Sequence, residues 1–419
     1  MRVELAYGRH GTTVEVPDDA EVIAPVEEPG LGDEAASILA ALRRPATGGS
    51  LQDLTDGPEQ VVVVFPDLTR PMPNRTVLPP ILAELARCGV PDHRITLLCA
   101  TGTHRQATAA EMEELVGPGI MARYAIVDHD GTSDDAHVAV GEVDGTPVRL
   151  QREYVEADLR IVTGFVEPHF FAGFSGGPKA VCPGLAANTT ILEAHHPRRI
   201  ADARATFVTR EGNPVHDFVR AAVALAPPHL SVDVAINRAR QVTAVFAGPL
   251  PAAHDAACAH VQSSAMCTVA GPFDLVVSTN GGYPLDRNLY QAVKGMAAAE
   301  RIVRPGGTIV MAAACEDGVP ADGAFARLVA DARSPADLVG ATGMPELDRW
   351  QGQVLGRVLD RAEVLLFADG LDRAAWPTAL LTVVPDLDAA VASARTRFGP
   401  GARVAVLPEG PLTVAMVRP

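Results

Sequence analysis

The run VVVVF at Val61–Phe65 is the feature that most limits how this chain can fold. A continuous apolar stretch of this length, rich in β-branched side chains, is typical of a strand buried on both faces. A second apolar run follows at Ile95–Ala100, and Thr108 with Glu111 then forms a capping-box pattern that opens a helix. This alternation of strands and helices predicts a parallel α/β sheet.

The length of the chain indicates more than one domain, because 419 residues exceed what a single ordinary core accommodates. The strand and helix alternation resumes after Gly271-Pro272. We predict an N-terminal α/β domain over residues 1–270 and a C-terminal α/β domain over residues 271–400, both with mainly parallel sheets. The segment 401–419 is a candidate to return to the first domain. An active-site cleft is expected between the two domains.

Charge and composition exclude several classes of protein. The formal net charge of −16 argues against nucleic acid or an anionic membrane as the main partner. The N-terminal sequence MRVELAYGRHG lacks the apolar run of a signal peptide, and no later segment approaches a membrane span. The six cysteines show no metal-type spacing and are expected to be reduced thiols. These features together predict a cytoplasmic protein.

Charged and titratable side chains follow the first two predicted apolar strands. Ligands of parallel α/β sheets bind beyond the carboxyl ends of strands, where Asp67, Arg70 and His104 fall. Arg70 can bind a carboxylate through two parallel hydrogen bonds, although a structural ion pair with Asp67 is the alternative. Histidine is the side chain best suited to acid/base catalysis near neutral pH, so His104 is a candidate for that role, although a solvated loop histidine is the alternative.

The stretch from Thr163 to His196 concentrates further reactive groups around a glycine-rich turn. His169 lies between Pro168 and two aromatic residues, which favours a fixed imidazole, either catalytic or satisfied by the backbone. Lys179 follows a Gly-Gly-Pro turn and is suited to contact a phosphate or to form a covalent bond. The adjacent His195 and His196 close a short helix, where one of them binds a metal or both only complement the helix dipole.

A third group lies on a predicted helix in the C-terminal half. Tyr290 and Lys294 share a helix face, with Gln291 beside them, just beyond a Gly-Gly strand end. That face is expected to look into the cleft, although a solvated lysine is the alternative. His104 and His169 come from different strand ends, so they are able to flank one ligand from opposite sides. Two acid/base groups on opposite faces of one carbon are what a racemase or epimerase needs.

Six motifs in order resemble one known family. They are DLTRP, TGTHR, EPHFFAGFSGGPKAVCPG, TILEAHH, GNPVHD and GGYPLDRNLYQAVKGM, and they run from Asp67 to Met296. Together they resemble the lactate racemase family, whose members use a nickel-pincer nucleotide. In this cofactor, nickel is held by pyridinium-3,5-bisthiocarboxylic acid mononucleotide.

The resemblance implies roles for the residues that would bind this cofactor. Lys179 would be the lysine that attaches covalently to it. His195 would be the nickel ligand, since its place after Ile191 fits the family pattern better than that of His196. Asp67, Tyr290 and Gln291 would line the cofactor or the substrate.

The resemblance also implies the reaction. His104 and His169 would be the acid/base pair, and Arg70 and Lys294 would hold the carboxylate of a 2-hydroxy acid. One histidine would take the hydroxyl proton while hydride leaves Cα for the cofactor. A planar 2-keto acid would form, and hydride would return to its other face.

Two other functions stay open at this level. A metal-dependent hydrolase would use His169 with His195 or His196, and a non-catalytic protein would bind nickel or a hydroxy acid without turnover. For the racemase, the expected partners are a small-molecule 2-hydroxy acid and the proteins that synthesise and insert the cofactor. The side chain of the substrate is not fixed by the motifs.

Overall fold

The apolar run at Val61–Phe65 becomes an inner strand of a parallel sheet. The computed structural model describes residues 1–320, 324–340, 346–373 and 380–418. In it, Val61–Pro66 pairs in parallel with Ile95–Ala100 on one side and with Leu159–Phe165 on the other. Valine favours extended backbone, and burial on both faces removes its side chains from water.

Strands and helices alternate along most of the described chain. The strands are β1 (Arg2–Leu5), β2 (Thr12–Glu15), β3 (Glu21–Val22), β4 (Val61–Pro66), β5 (Ile95–Ala100), β6 (Ala125–Asp128), β7 (His137–Val143), β8 (Thr146–Gln151), β9 (Leu159–Phe165), β10 (Pro168–His169), β11 (Gly173–Phe174), β12 (Leu230–Ile236), β13 (Val242–Gly248), β14 (Met266–Val269), β15 (Phe273–Thr279), β16 (Val303–Ala312), β17 (Ala362–Phe367), β18 (Thr382–Val384), β19 (Val404–Leu407) and β20 (Val414–Val417). The helices are α1 (Glu34–Arg43), α2 (Asn74–Arg87), α3 (Ala109–Val116), α4 (Pro118–Met121), α5 (Arg152–Glu156), α6 (Asn188–Ala194), α7 (Pro197–Ile200), α8 (Pro214–Ala224), α9 (Leu250–Ala265), α10 (Leu289–Glu300), α11 (Phe325–Asp331), α12 (Pro335–Val339), α13 (Arg349–Arg361) and α14 (Leu387–Phe398).

The chain forms two compact units, of which the larger comprises Glu27–His195 and Asp202–Ser264. Its sheet has the order β13-β12-β9-β4-β5-β6, and only the edge strand β13 runs antiparallel. Pro66 lies opposite Ala100 in the register of β4 with β5, so the loops after these strands leave the same edge. β9 runs parallel on the other side of β4 and ends at that edge too.

The smaller unit comprises Met1–Val26, His196–Ala201 and the described residues from Ala265 onward. Its sheet has the order β18-β17-β16-β15-β19-β3, and all the pairs are parallel. The α/β prediction with mainly parallel sheets is therefore confirmed.

The ends of the chain differ from the predicted domain boundaries. β19 pairs with β15 on one side and with β3 on the other. These hydrogen bonds keep Val404–Leu407 in the smaller unit, and they bring residues 1–26 there as well, although 401–419 was a candidate for the first domain. Pro419 lies outside the described residues.

Local sequence signals vary in how well they match the structure. The capping box of Thr108 with Glu111 is present at the start of α3. The antiparallel hairpin of β7 with β8 and the helix α13 were not predicted. No helix among the described residues has the length and apolarity needed to cross a membrane.

Candidate active site

The loop after β4 and the loop after β5 meet through a histidine and a buried carboxylate. Nδ1 of His104 lies 2.9 Å from Oδ2 of Asp67, whose side chain is 5% exposed. The hydroxyl of Thr69 donates to the same carboxylate at 3.0 Å. Because the carboxylate accepts, Nδ1 of His104 carries the proton and Nε2 carries the lone pair. The arrangement prepares His104 to accept a proton at Nε2.

The charges around Asp67 favour its ionised form. Burial acts to raise the pKa of this carboxyl. It is outweighed by His104, through its charge when protonated and its hydrogen bond, by the charge of Arg70 and by the Thr69 hydroxyl, so the pKa lies below its ordinary value. Arg70 is held in the same loop, since its backbone N–H donates to the carbonyl of Asp67 at 3.2 Å. Asp67, Arg70 and His104 are therefore brought together.

A second group of reactive side chains surrounds the buried ring of Phe171. The His169 ring centroid lies 4.6 Å from that of Phe171, and the His195 ring centroid lies 5.4 Å from it. Nζ of Lys179 lies 5.8 Å from the same centroid. Three residues from different turns of the segment 169–195 thus share one aromatic neighbour. The role of Phe171 was not anticipated, although its place in EPHFF was a signal.

His169 is fixed by the short hairpin of β10 with β11. Its Nδ1 accepts the backbone N–H of Ala172 at 3.2 Å, and its ring stacks on Phe170 with centroids 4.7 Å apart. An accepting Nδ1 places the proton on Nε2 in the neutral ring. His104 and His169 therefore hold opposite tautomers.

The GNPVHD motif supports the loop of His169. The side chain of Asn213 is buried and accepts the N–H groups of Val215 and His216, which caps α8. Its Nδ2 donates to the carbonyls of Phe171 and Thr209, each at 2.9 Å. Asn213 thus joins the start of α8 to the segment that carries His169. An asparagine before a proline is a helix-start signal, from which its capping role could have been read.

Lys179 lies in a 3₁₀ turn at Gly177–Ala180. Its N–H donates to the carbonyl of Gly176 at 3.0 Å, and its own carbonyl accepts the N–H of Gly184 at 3.1 Å. The carbonyl of Gly184 in turn accepts the N–H of Gly102 at 3.0 Å. The turn of Lys179 is therefore tied by hydrogen bonds to the loop of His104.

His195 and His196 have different surroundings. Nδ1 of His195 donates to the carbonyl of Ile191 at 2.9 Å, so Nε2 carries the lone pair. Burial, together with the charge of Lys179, lowers the pKa of His195 to about 4, although the Ile191 carbonyl acts against this. His196 instead caps α7, where its Nδ1 accepts the N–H of Arg198 at 3.2 Å.

Tyr290, Gln291 and Lys294 lie on α10 in the smaller unit. The hydroxyl of Tyr290 accepts the indole N–H of Trp350 at 2.8 Å. Gln291 is buried, and its backbone N–H donates to the cap residue Asn288 at 3.0 Å. The helical spacing predicted for these residues is present. Among the described residues, no group of three or more His, Cys, Asp or Glu is arranged to hold a metal ion.

The mainly parallel sheet, an acid–histidine pair beyond two of its strands, and a group of His169, Lys179 and His195 around Phe171 are typical of an α/β enzyme. Comparison with known proteins identifies its family. The model of the lactate racemase N-terminal domain matches residues 7–207, and that of the C-terminal domain matches residues 269–416. The chain belongs to the lactate racemase family and is an isomerase.

Individual relatives agree with this assignment. The chain is 34% identical over 420 residues to a lactate racemase of Lactiplantibacillus plantarum, with 98% of each covered. It is 33% identical to a lactate racemase of Thermoanaerobacterium thermosaccharolyticum, with 97% of each covered. The apoprotein structure of a lactate racemase from Thermoanaerobacterium thermosaccharolyticum matches with a TM-score of 0.91 at 31% identity, with 100% of both chains covered. A Thermotoga maritima protein shares the fold, with a TM-score of 0.71 at 16% identity over 94% of this chain and 100% of its own.

Proposed function

We propose that this protein racemises or epimerises a 2-hydroxy acid, and that lactate is the first substrate to test because the relatives above are named lactate racemases. The observation that carries the proposal is the tautomer pair. Nε2 of His104 presents a lone pair, whereas Nε2 of His169 presents a proton. A hydroxyl that loses its proton to one histidine and is hydrogen-bonded by the other suits stereochemical inversion at the adjacent carbon.

His104 acts as the base in one half of this scheme. Its Nε2 takes the hydroxyl proton, and the buried carboxylate of Asp67 stabilises the imidazolium that forms. His169 donates a hydrogen bond from Nε2 to the same oxygen. For the opposite enantiomer, His169 must present a lone pair at Nε2, so its ring proton moves to Nδ1 and the contact with Ala172 gives way. Arg70 and Lys294 hold the substrate carboxylate.

Several of the proposed site residues have the chemistry needed to bind a nickel-pincer nucleotide. His195 has the tautomer that a metal ligand needs, because its Nδ1–H is bound by the Ile191 carbonyl and its Nε2 carries the lone pair. Lys179 would attach the cofactor covalently, and Asp67, Tyr290 and Gln291 would line it or the substrate. When bound, this cofactor would supply a pyridinium that accepts hydride from Cα and returns it to the opposite face of the 2-keto acid.

The scarcity of lysine supports the role of Lys179. The chain has 35 basic Lys and Arg side chains, of which only Lys179 and Lys294 are lysines. A guanidinium provides charge and hydrogen bonds but remains protonated, so it does not replace a nucleophilic amine. Lysine is therefore confined to two positions in this chain, and one of them is the position proposed for covalent attachment.

The covalent attachment is tested by the intact mass of protein produced together with cofactor-synthesis enzymes. We expect an added mass in the wild type and in Lys294→Arg, and none in Lys179→Arg, which retains the charge. Nickel should accompany the added mass. Zinc without nickel, with no added mass, would favour the metal-dependent hydrolase. Loaded protein that binds 2-hydroxy acids without converting any of them would favour the non-catalytic binder.

A further inference from the structure

Two buried titratable side chains have no part in the chemistry described so far. Asp233 on β12 is fully buried, and His254 on α9 is 2% exposed. Burial raises the pKa of the Asp233 carboxyl and lowers the pKa of the His254 imidazole. Removing both groups from water is unfavourable unless they satisfy other buried polar groups.

Both side chains satisfy the backbone of the turn before Lys179. Oδ1 of Asp233 accepts the N–H of Gly177 at 2.8 Å, and its Oδ2 accepts the hydroxyl of Ser231 at 3.0 Å. Nε2 of His254 donates to the carbonyl of Ser175 at 3.0 Å. The peptide groups before and after Gly176 are thus hydrogen-bonded to side chains from two different elements, α9 and β12 respectively.

The fit between this pair and the turn leaves no room for other side chains. Gly176 and Gly177 have φ values of +71° and +48°, a region that favours glycine. A Cβ at Gly176 would lie 2.9 Å from Oδ1 of Asp233, and a Cβ at Gly177 would lie 2.4 Å from the ring of His254. The turn, the carboxylate and the imidazole are therefore fitted to one conformation.

This conformation of the turn sets the position of the Lys179 backbone. The N–H of Lys179 donates to the carbonyl of Gly176, which belongs to the same peptide group as the anchored N–H of Gly177. A change in the anchors would move Gly176, and the lysine backbone would follow.

We propose that Asp233 and His254 are positioning residues that hold the 175–177 turn so that the amine of Lys179 meets the bound cofactor. This inference rests on the proposed function of Lys179. It predicts a specific pair of effects when an anchor is lost. The amine becomes more accessible to a small reagent, because the turn loosens, yet it reacts more slowly with the cofactor, because it is no longer directed.

Because the sequence contains only two lysines, the modification of each one can be measured separately. Full-length protein without cofactor is treated with N-hydroxysuccinimide acetate, and peptide mass spectrometry gives the acetylation of Lys179 relative to Lys294. Lys294 is the internal reference, since it lies in the smaller unit. The rate of cofactor attachment is followed separately by intact mass.

The variants separate the hydrogen bond from general damage. In Asp233→Ala, we expect the Lys179 to Lys294 ratio to rise about tenfold and attachment to slow about tenfold, as for the loss of one buried hydrogen bond. Asp233→Asn keeps an accepting Oδ1 and should stay within about twofold of the wild type. Ser231→Ala, which leaves the Gly177 contact intact, should do the same.

A second pair of variants, at His254, tests the same proposal if Asp233→Ala does not fold. His254→Gln keeps a donor near Nε2, whereas His254→Ala removes it, and only the latter should change both readouts. A folded Asp233→Ala or His254→Ala with wild-type values would overturn the proposal, and so would an Asp233→Asn or His254→Gln as altered as the alanine variant. If no cofactor attaches to wild-type Lys179, the proposed function fails, while the acetylation ratio still judges the positioning.

Discussion

Nδ1 of His104 lies 2.9 Å from Oδ2 of Asp67, so that the histidine at one strand end is oriented by a buried carboxylate at the next. The two residues are 37 positions apart and meet because β4 and β5 are parallel neighbours. A fixed Nδ1–H leaves the Nε2 lone pair as the site of proton transfer. Asp67 therefore determines which nitrogen of His104 is available to accept a proton.

Asp67→Asn should preserve the fold but impair this orientation. The amide cannot stabilise the imidazolium, and its NH₂ group can face Nδ1 and reverse the tautomer. We expect kcat for racemisation to fall about 100-fold or more, the contribution typical of acid/base catalysis. Glu113→Gln, which removes an exposed carboxylate on α3, is the control and should retain activity. A fully active Asp67→Asn would show that the pair is only structural.

Asn213→Asp should separate helix capping from support of the His169 loop. The aspartate keeps the oxygen that caps α8 but loses the Nδ2 hydrogen bonds to the carbonyls of Phe171 and Thr209. We expect activity to fall at temperatures where the variant is folded. As a control, Asp33→Ala removes the cap of α1 and should cost about 1 kcal/mol of stability with no effect on kcat. Equal activity losses in the two variants would contradict this role.

His195→Ala and His196→Ala should differ in nickel content. Nδ1 of His195 is bound to the Ile191 carbonyl and Nε2 carries the lone pair, whereas His196 uses its Nδ1 to cap α7. Metal analysis of cofactor-loaded protein should show that nickel is lost in His195→Ala and retained in His196→Ala. The reverse pattern would assign the ligand to His196.

Glu84 provides a prediction for stability against pH. Hydrogen bonds from Arg43, then from Arg87, lower the pKa of this buried carboxyl to about 2. The unfolded chain binds its proton more readily, so the stabilisation is complete above about pH 5 and is lost as the pH falls towards the folded pKa. Glu84→Gln should reduce the free energy of unfolding by about 1–2 kcal/mol at pH 7, and the difference should shrink by pH 3. Urea denaturation at both values measures it, and a difference independent of pH would contradict the ion-pair account.

The sequence predicted the sheets well, because buried parallel strands such as Val61–Phe65 are continuous apolar runs. The helix α13 was not predicted. Its buried face includes two glutamines and two glycines, so the apolar periodicity of a helix is weak in its sequence; they are Gln351, Gly352, Gln353 and Gly356. The candidate reactive side chains were proposed because histidine, lysine and arginine beside strand ends and glycine-rich turns stand out, and their roles stay predictions. Their supports were not found, because Asp233 and His254 act through single hydrogen bonds to a distant turn and leave no local pattern.

The central claim is tested most directly by chiral analysis of 2-hydroxy acids incubated with nickel-containing, cofactor-loaded protein. Starting from either pure enantiomer of lactate, or of another member of a 2-hydroxy acid panel, the account predicts convergence on an equal mixture. It also predicts that His104→Ala and His169→Ala, loaded to the same extent, do not reach that mixture. Loaded wild-type protein that leaves both enantiomers of every acid unchanged, or histidine variants that racemise as fast as the wild type, would contradict it.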